Sequence, residues 1–136
     1  MHRIDIVHVP ALPLSELFCA LADHENLSQV FGVPVRRIHD GLGEPNAVGS
    51  VRRIGPQPLG VEETVTALET DRSIDYRITR GGFPLRNHRG RLEFSATDRG
   101  SQVRWTIEFN SWLPITGTLL RMALGHAIGR GLKRIG

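Results

Sequence analysis

The stretch that decides the fold reads Asn87-His-Arg-Gly-Arg-Leu-Glu-Phe-Ser-Ala-Thr97, then Asp98-Arg-Gly-Ser101, then Gln102-Val-Arg-Trp-Thr-Ile-Glu-Phe-Asn-Ser-Trp112. Apolar and polar residues alternate on both sides of the short central segment, which is the period of a β-strand with one buried face. The central segment holds the aspartate, glycine and serine that are typical of tight turns. The stretch therefore predicts a β-hairpin whose second strand points four side chains toward the core: Val103, Trp105, Ile107 and Phe109.

Similar strands and turns precede this hairpin. Alternation predicts a first strand over residues 3–9 and four more strands over residues 33–39, 48–54, 61–68 and 73–80. Because the connections between the later strands are too short to hold crossover helices, those strands must run antiparallel. Helical spacing of apolar residues predicts two short helices after the first strand, over residues 12–21 and 27–31, the second one ended by Gly32.

The last segment of the chain, from Pro114 to Gly136, predicts one long helix. Its broad apolar side carries Leu120, Leu124, Ala127, Ile128, Leu132 and Ile135. Four glycines in this helix, at 117, 125, 129 and 131, predict close backbone packing or some mobility of the helix. The predicted fold class is α+β, a seven-stranded antiparallel sheet curled around the C-terminal helix, with two short helices between strands 1 and 2. We expect residues 1–136 to form a single domain.

Composition excludes several classes of protein. The 136 residues include one cysteine, Cys19, so an internal disulfide is impossible, and no histidines share metal-ligand spacing, so we expect no metal and no cofactor. The formal net charge is +3, but the arginines are scattered among acids, so nucleic acid is not an expected partner. No apolar run reaches the ~18 residues of a membrane span, and no signal peptide opens the chain, so we expect a cytoplasmic protein.

Several stretches, in this order of elements, are similar to those of a known superfamily. They are Glu25-Asn-Leu-Ser-Gln-Val-Phe31, Val48-Gly-Ser-Val-Arg-Arg-Ile54, Gly82-Phe-Pro-Leu-Arg-Asn-His-Arg-Gly-Arg-Leu-Glu-Phe94, Gly100-Ser-Gln-Val-Arg-Trp-Thr-Ile-Glu-Phe109 and Arg130-Gly-Leu-Lys-Arg134. With them the whole chain resembles the SRPBCC superfamily, which contains START, birch-pollen-allergen-like and polyketide cyclase proteins, and most of all its bacterial polyketide cyclase/dehydrase-like branch. The resemblance implies the helix-grip fold. It leaves the activity open, because the branch includes aromatase/cyclases, lipid carriers and members with no known activity.

Strand parity predicts which side chains face a cavity between the sheet and the last helix. Ala67 and His8 are assigned to the inner face, and the face of the strand with Arg52 and Arg53 is left open. The predicted ligand-binding residues are Glu63, Val65, Tyr76, Ile78, Arg80, His88, Leu92, Phe94, Trp105, Ile107, Phe109, Leu120, Leu124 and Ile128.

Three functions remain open from the sequence. The first is a protein, monomer or homodimer, that binds an apolar small molecule such as a lipid, a polyketide or another aromatic compound. The second is a polyketide cyclase, aromatase or dehydratase that uses the same cavity, with His88, Arg80 and Glu63 as candidate catalytic residues. The third is an interaction protein whose interior is filled by its own side chains. A further alternative for the polar residues is structural: Arg80 and Glu63 pair with each other, or residues at the strand ends reach water at the rim of the sheet.

Overall fold

The computed structural model describes residues 1–55, 60–82, 85–112 and 116–135. Strand β1 (His2–His8) is followed by helices α1 (Leu14–Ala22) and α2 (Leu27–Phe31), with a 3-10 turn (His24–Asn26) between the two helices. Six strands follow, β2 (Val35–His39), β3 (Val51–Ile54), β4 (Val61–Glu69), β5 (Ser73–Arg80), β6 (Leu85–Thr97) and β7 (Gly100–Ser111). Helix α3 (Thr116–Leu132) completes the described fold, and Pro114 and Gly136, the predicted limits of that helix, lie outside the described residues.

The strands form one antiparallel sheet in the order β1-β7-β6-β5-β4-β3-β2. Strands β2 to β7 follow one another along the sheet as hairpins, as the short connections predict. Strand β1 instead lies beside β7, so the two strands next to α1 and α2 in sequence occupy opposite edges. The short helices therefore carry the chain from one edge of the sheet to the other. The α+β prediction is confirmed.

One face of the sheet packs against the hydrophobic core. Val103, Trp105, Ile107 and Phe109 on β7 are all buried, as their alternation predicts. Helix α1 packs against β6 and β7, while α3 packs against β1, β7 and α2. On the predicted apolar side, Ile128 and Leu132 are buried, and Leu120, Leu124 and Ala127 are partly buried. The helix ends at Leu132, earlier than predicted, so Ile135, which is also partly buried, lies beyond it.

Two β-bulges place Arg80 and Ala67 on the outer face of the sheet, opposite to the predicted one. Strand β5 has one extra residue, Thr79, because adjacent residues Glu62 and Glu63 pair with Arg80 and Ile78. Beyond this bulge the alternation of inward and outward side chains in β5 reverses. Arg80 therefore lies on the outer face with its partner Glu62, and it is exposed. A second bulge between Val65 and Ala67 exposes Ala67 in the same way. Inward orientation was the wrong prediction for both residues, because simple alternation assumes an uninterrupted ladder.

Candidate ligand-binding site

A buried ion pair lies on the inner face of the sheet. Arg52 on β3 and Glu63 on β4 are directly opposite in the register, and they are 3% and 6% exposed. The Arg52 guanidinium donates from Nε and Nη2 to Glu63 Oε1 at 3.0 and 2.8 Å. Among the residues the structure describes, Glu63 Oε2 has no hydrogen-bond donor. One carboxylate oxygen therefore stays available for another group.

Tyr76 extends this pair into a cluster. The Arg52 guanidinium carbon lies 4.6 Å from the centroid of the Tyr76 ring, which is within cation–π range. The Tyr76 hydroxyl accepts a hydrogen bond from Trp105 Nε1 at 2.8 Å, so its own proton stays free for donation. Burial raises the pKa of Tyr76, and the Glu63 carboxylate raises it further, which keeps the phenol protonated.

The position of the Tyr76 ring depends on Gly90. The two residues are paired across β5 and β6, and a Cβ at Gly90 would overlap the ring and its hydroxyl. Because no side chain stands there, the ring extends across β6 toward Trp105 on β7. Trp105 also contacts Phe31 of α2, whose ring meets it edge-on with the two ring centroids 5.8 Å apart.

His88 is placed beside Tyr76 by an irregularity in β6. Asn87 has a φ of +53°, and the β6–β7 register shifts by one residue between Arg86 and Arg89. At this point the β5–β6 ladder has ended, and the Ile78 backbone N–H donates instead to His88 Nδ1 at 3.1 Å. The proton of a neutral His88 must therefore reside on Nε2.

Burial keeps the His88 imidazole neutral. It lowers the pKa of His88, and the positive charge of Arg52 acts in the same direction, while Glu63 opposes it. The ring lies 5.7 Å from that of Tyr76, centroid to centroid. The inner face thus offers a phenol O–H and an imidazole N–H as donors, and the free Glu63 oxygen as an acceptor.

A second buried histidine, His24, lies on the 3-10 turn near this cluster. Its Nε2 is 3.2 Å from the Ser50 hydroxyl, and its Nδ1 is buried without a hydrogen-bond partner among the described residues. Burial lowers the pKa of His24 to about 3, and the charges of Arg52 and Arg37 add to the effect. His24 is therefore a neutral imidazole at the edge of the cluster.

The structure places the predicted ligand-binding residues in three groups. Ten are buried: Glu63, Val65, Tyr76, His88, Leu92, Phe94, Trp105, Ile107, Phe109 and Ile128. Ile78, Leu120 and Leu124 are half-buried, and Arg80 is exposed. Among the buried ones, Phe94 packs edge-on against Phe18 of α1, which assigns it to the contact between the sheet and that helix. His8, predicted on the inner face, is half-buried at the end of β1.

Sequence reasoning missed Arg52 as the partner of Glu63, and it also missed His24 and Ser50. Of the structural alternatives, the Arg80–Glu63 pair is wrong, because Arg80 lies exposed on the other face and Glu63 pairs with Arg52. A signal for Arg52 was present, since a hairpin closed by residues 54 and 61 sets two arginines opposite two glutamates, Arg52 with Glu63 and Arg53 with Glu62. For His24 no comparable signal existed, because its contacts with residues 50 and 52 are long-range.

Comparison of the sequence with models of protein families identifies the family to which this chain belongs. The model of the family described as polyketide cyclase / dehydrase and lipid transport matches residues 1–136. The chain belongs to this family, within the SRPBCC superfamily. No curated protein matches the sequence significantly. In the described part of the chain, no helix is long and apolar enough to cross a membrane.

Solved structures share the fold at low sequence identity. A Thermobifida fusca protein has a TM-score of 0.76 at 20% identity, with 99% of this chain and 95% of that one covered. Ara h 8.0201, a birch-pollen-allergen-like protein, has a TM-score of 0.71 at 16% identity, with 98% and 95% covered. The Aha1 dimer from Colwellia psychrerythraea has a TM-score of 0.72 at 14% identity, with 99% and 93% covered. These similarities establish the helix-grip fold.

Proposed function

We propose that this protein binds an apolar small molecule, a lipid, polyketide or other aromatic compound, between the inner face of the sheet and α3. The observation that carries the proposal is the buried cluster of Arg52, Glu63, Tyr76 and His88 in an otherwise apolar interior. Half-buried apolar residues lie both on the sheet, where Ile78 belongs to β5, and on α3, which carries Leu120 and Leu124. The family, whose description includes lipid transport, supports a hydrophobic ligand.

The energetics of the Arg52–Glu63 pair favour a ligand-facing role over a purely structural one. Replacing a buried ion pair by well-packed apolar residues is often neutral or stabilising by about 1–4 kcal/mol. Stability alone therefore does not account for charge at this place. A ligand-facing role does account for the buried charges. In an apolar pocket the walls bind the ligand, and a few placed polar groups orient it. The free Glu63 oxygen and the Tyr76 proton suit an oxygenated group such as a hydroxyl or a carbonyl.

The first test is native mass spectrometry of the protein purified without detergent, followed by denaturing extraction. A discrete extra mass that is lost on denaturation would support the proposal and reveal the chemical class of the ligand. An apo mass, together with no binding of naphthalene or 2-naphthol, would overturn it and favour the interaction protein with a closed core.

A sharper test compares two probes that differ by one hydroxyl group. In a Trp112→Phe background, which leaves Trp105 as the fluorescent reporter, we expect 2-naphthol to bind about tenfold tighter than naphthalene. The double variant Arg52→Met/Glu63→Leu should abolish this preference while the protein stays folded. Leu124→Ala should weaken both probes.

The matched control for this test removes an ion pair of the same type from the outer face. Arg91 and Asp75 pair at 2.8 Å on half-exposed side chains, so Arg91→Met/Asp75→Leu should leave the preference unchanged. If the inner double variant kept the preference for 2-naphthol, the assignment of the polar end would be wrong.

A cyclase- or dehydratase-type enzyme is the second candidate, favoured by the tautomer of His88. With Nδ1 occupied by the Ile78 N–H, a neutral His88 presents an Nε2 proton beside Tyr76 and can act as a proton donor. His88→Ala should then abolish turnover of a linear poly-β-ketone mimic while it spares the affinity for naphthalene. Turnover that survives in this variant would remove His88 from that role. The cytoplasmic location and the choice between monomer and homodimer stay predictions.

A further inference from the structure

A groove lies outside the sheet–helix interior, where α3 passes the edge strand β1. Its volume is about 330 Å³, which is within the range of small-molecule sites. Ile6 of β1 and Leu132 of α3 form an apolar floor, and Val7, which is exposed on the other face of β1, also lines the groove. None of the residues of the buried polar cluster lines this groove, whereas His8, which alternation assigned to the inner face, does line it.

Gly129 leaves this groove open. In α3, a Cβ at Gly131 would overlap the Val30 carbonyl, and one at Gly125 would touch Ile4 at 3.6 Å, so these two glycines allow close packing. A Cβ at Gly129 would meet no atom within 4 Å. A glycine within a helix costs about 1 kcal/mol relative to alanine. No packing contact of the described chain explains that cost at Gly129, whereas the close approach of a ligand to the helix backbone does.

The formal charges that line the groove are positive. Arg130 of α3 and Lys133 just beyond it carry them, His126 lies at the spacing that places it on the same helix face, and His8 lines the groove from β1. Among the described lining residues none is acidic. Cations near a helix C-terminus also complement the macrodipole, which would account for Arg130 and Lys133. That effect falls off within the last turn, so it explains neither His126 nor the open space at Gly129.

We propose that the groove binds a small amphipathic anion, a carboxylate or a phosphate monoester joined to a short apolar group. The cationic rim receives the charged head, and the apolar floor receives the tail. The absent side chain at Gly129 lets the ligand approach the helix. This site is distinct from the interior one, and the two can be tested separately.

The experiment titrates octyl phosphate into the ¹⁵N-labelled protein and follows amide shifts. We expect saturable shifts over residues 6–8 and 125–133. Gly129→Leu should weaken binding at least tenfold by filling the groove, and it should keep the protein folded because leucine favours a helix. Arg130→Gln/Lys133→Gln should also weaken binding about tenfold. The matched control is Arg121→Gln, which removes an exposed charge of the same helix outside the groove and should change binding less than twofold.

Four results would overturn the proposal. The first is unchanged affinity in Gly129→Leu, and the second is binding of octanol as tight as that of octyl phosphate. The third is binding to acidic-phospholipid vesicles with no saturable shift from free octyl phosphate, which would assign the charges to a membrane surface. Shifts confined to Tyr76, Trp105 and their neighbours would place octyl phosphate in the interior site and would also overturn it.

Discussion

At the scale of single residues, the interior is unusual in holding titratable groups that burial penalises. Arg52 and Glu63 compensate each other, and the two histidines avoid the penalty by staying neutral. Tyr76 is kept protonated in the same surroundings. Each of these groups has a measurable consequence, because a pKa that differs between the folded and unfolded states makes stability depend on pH.

We expect the free energy of unfolding to fall as the pH decreases from about 6.5, the pKa of an unfolded histidine, toward 3. In that window the unfolded chain binds a proton on His24, while folded His24, with a pKa of about 3, does not. The loss is at most about 1.4 kcal/mol per pH unit for this histidine, and His88, whose pKa is also lowered, contributes in the same direction. Urea unfolding at several pH values measures it.

His24→Phe is the variant that tests this assignment. It removes the titrating group while keeping a ring of similar size, so the pH dependence should flatten even if the overall stability decreases. His39→Phe, at an exposed histidine, is the matched control and should keep the wild-type slope. An unchanged slope in His24→Phe would show that another group causes the acid sensitivity.

We expect Gly90→Ala to destabilise the protein by about 1–3 kcal/mol, which is typical of overpacking a core. The added Cβ would displace the Tyr76 ring and break its hydrogen bond with Trp105. Urea unfolding followed by tryptophan fluorescence measures the loss. In a Tyr76→Leu background the same glycine substitution should cost much less. Equal costs in the two backgrounds would contradict the proposed contact.

At the scale of elements, irregularities in the strands decide what faces the interior. The bulge at Thr79 turns Arg80 outward, and the bulge near Asn87 accompanies the end of the β5–β6 ladder at His88. Without these two features, alternation would bury Arg80 and would pair β5 with β6 beyond Gly90. The polar cluster therefore depends on interruptions of the sheet as well as on its regular pairing.

Helix α3 provides a matched pair of glycine substitutions. Gly131→Ala should destabilise the protein by about 1–3 kcal/mol, because the new Cβ would overlap the backbone of Val30 in α2. Gly129→Ala should stabilise it by up to about 1 kcal/mol, because its Cβ enters open space and alanine favours a helix. Thermal unfolding followed by circular dichroism measures both. The same sign of change for the two variants would contradict the described packing of α3 on α2.

At the scale of the whole molecule, the sheet separates two kinds of charge. Its inner face holds the desolvated Arg52–Glu63 pair, whereas its outer face carries solvated pairs such as Arg91–Asp75. Both pairs have a nitrogen–oxygen distance of 2.8 Å, so they differ mainly in their exposure to water. Their contributions to stability should therefore differ.

We expect Glu63→Gln to destabilise the protein by about 3–5 kcal/mol, because it leaves Arg52 buried without a countercharge. Asp75→Asn makes the same chemical change on the outer face and should cost less than about 1 kcal/mol. Added salt should reduce only the effect of Asp75→Asn, since ions screen exposed charges. Urea unfolding at low and high ionic strength tests this, and equal costs for the two variants would contradict the difference in burial.

Much of the fold was predictable from the sequence because its elements are specified locally. Alternation defined β5 over residues 73–80, and helical spacing with a terminal glycine defined α2 over residues 27–31. The inner face of β7 followed from the same alternation. Family resemblance then supplied the helix-grip arrangement, which the family match and the solved structures confirm.

The sequence by itself therefore determined the order of the elements, their antiparallel pairing and most of the buried apolar residues, since periodicity within one element contains this information. Only the tertiary structure decided the composition of the polar cluster. It turned Arg80 outward, made Arg52 the partner of Glu63 and brought His24 and Ser50 together. The physical reason is that one bulge reverses the parity of a strand, while contacts between distant segments leave no periodic pattern in either segment.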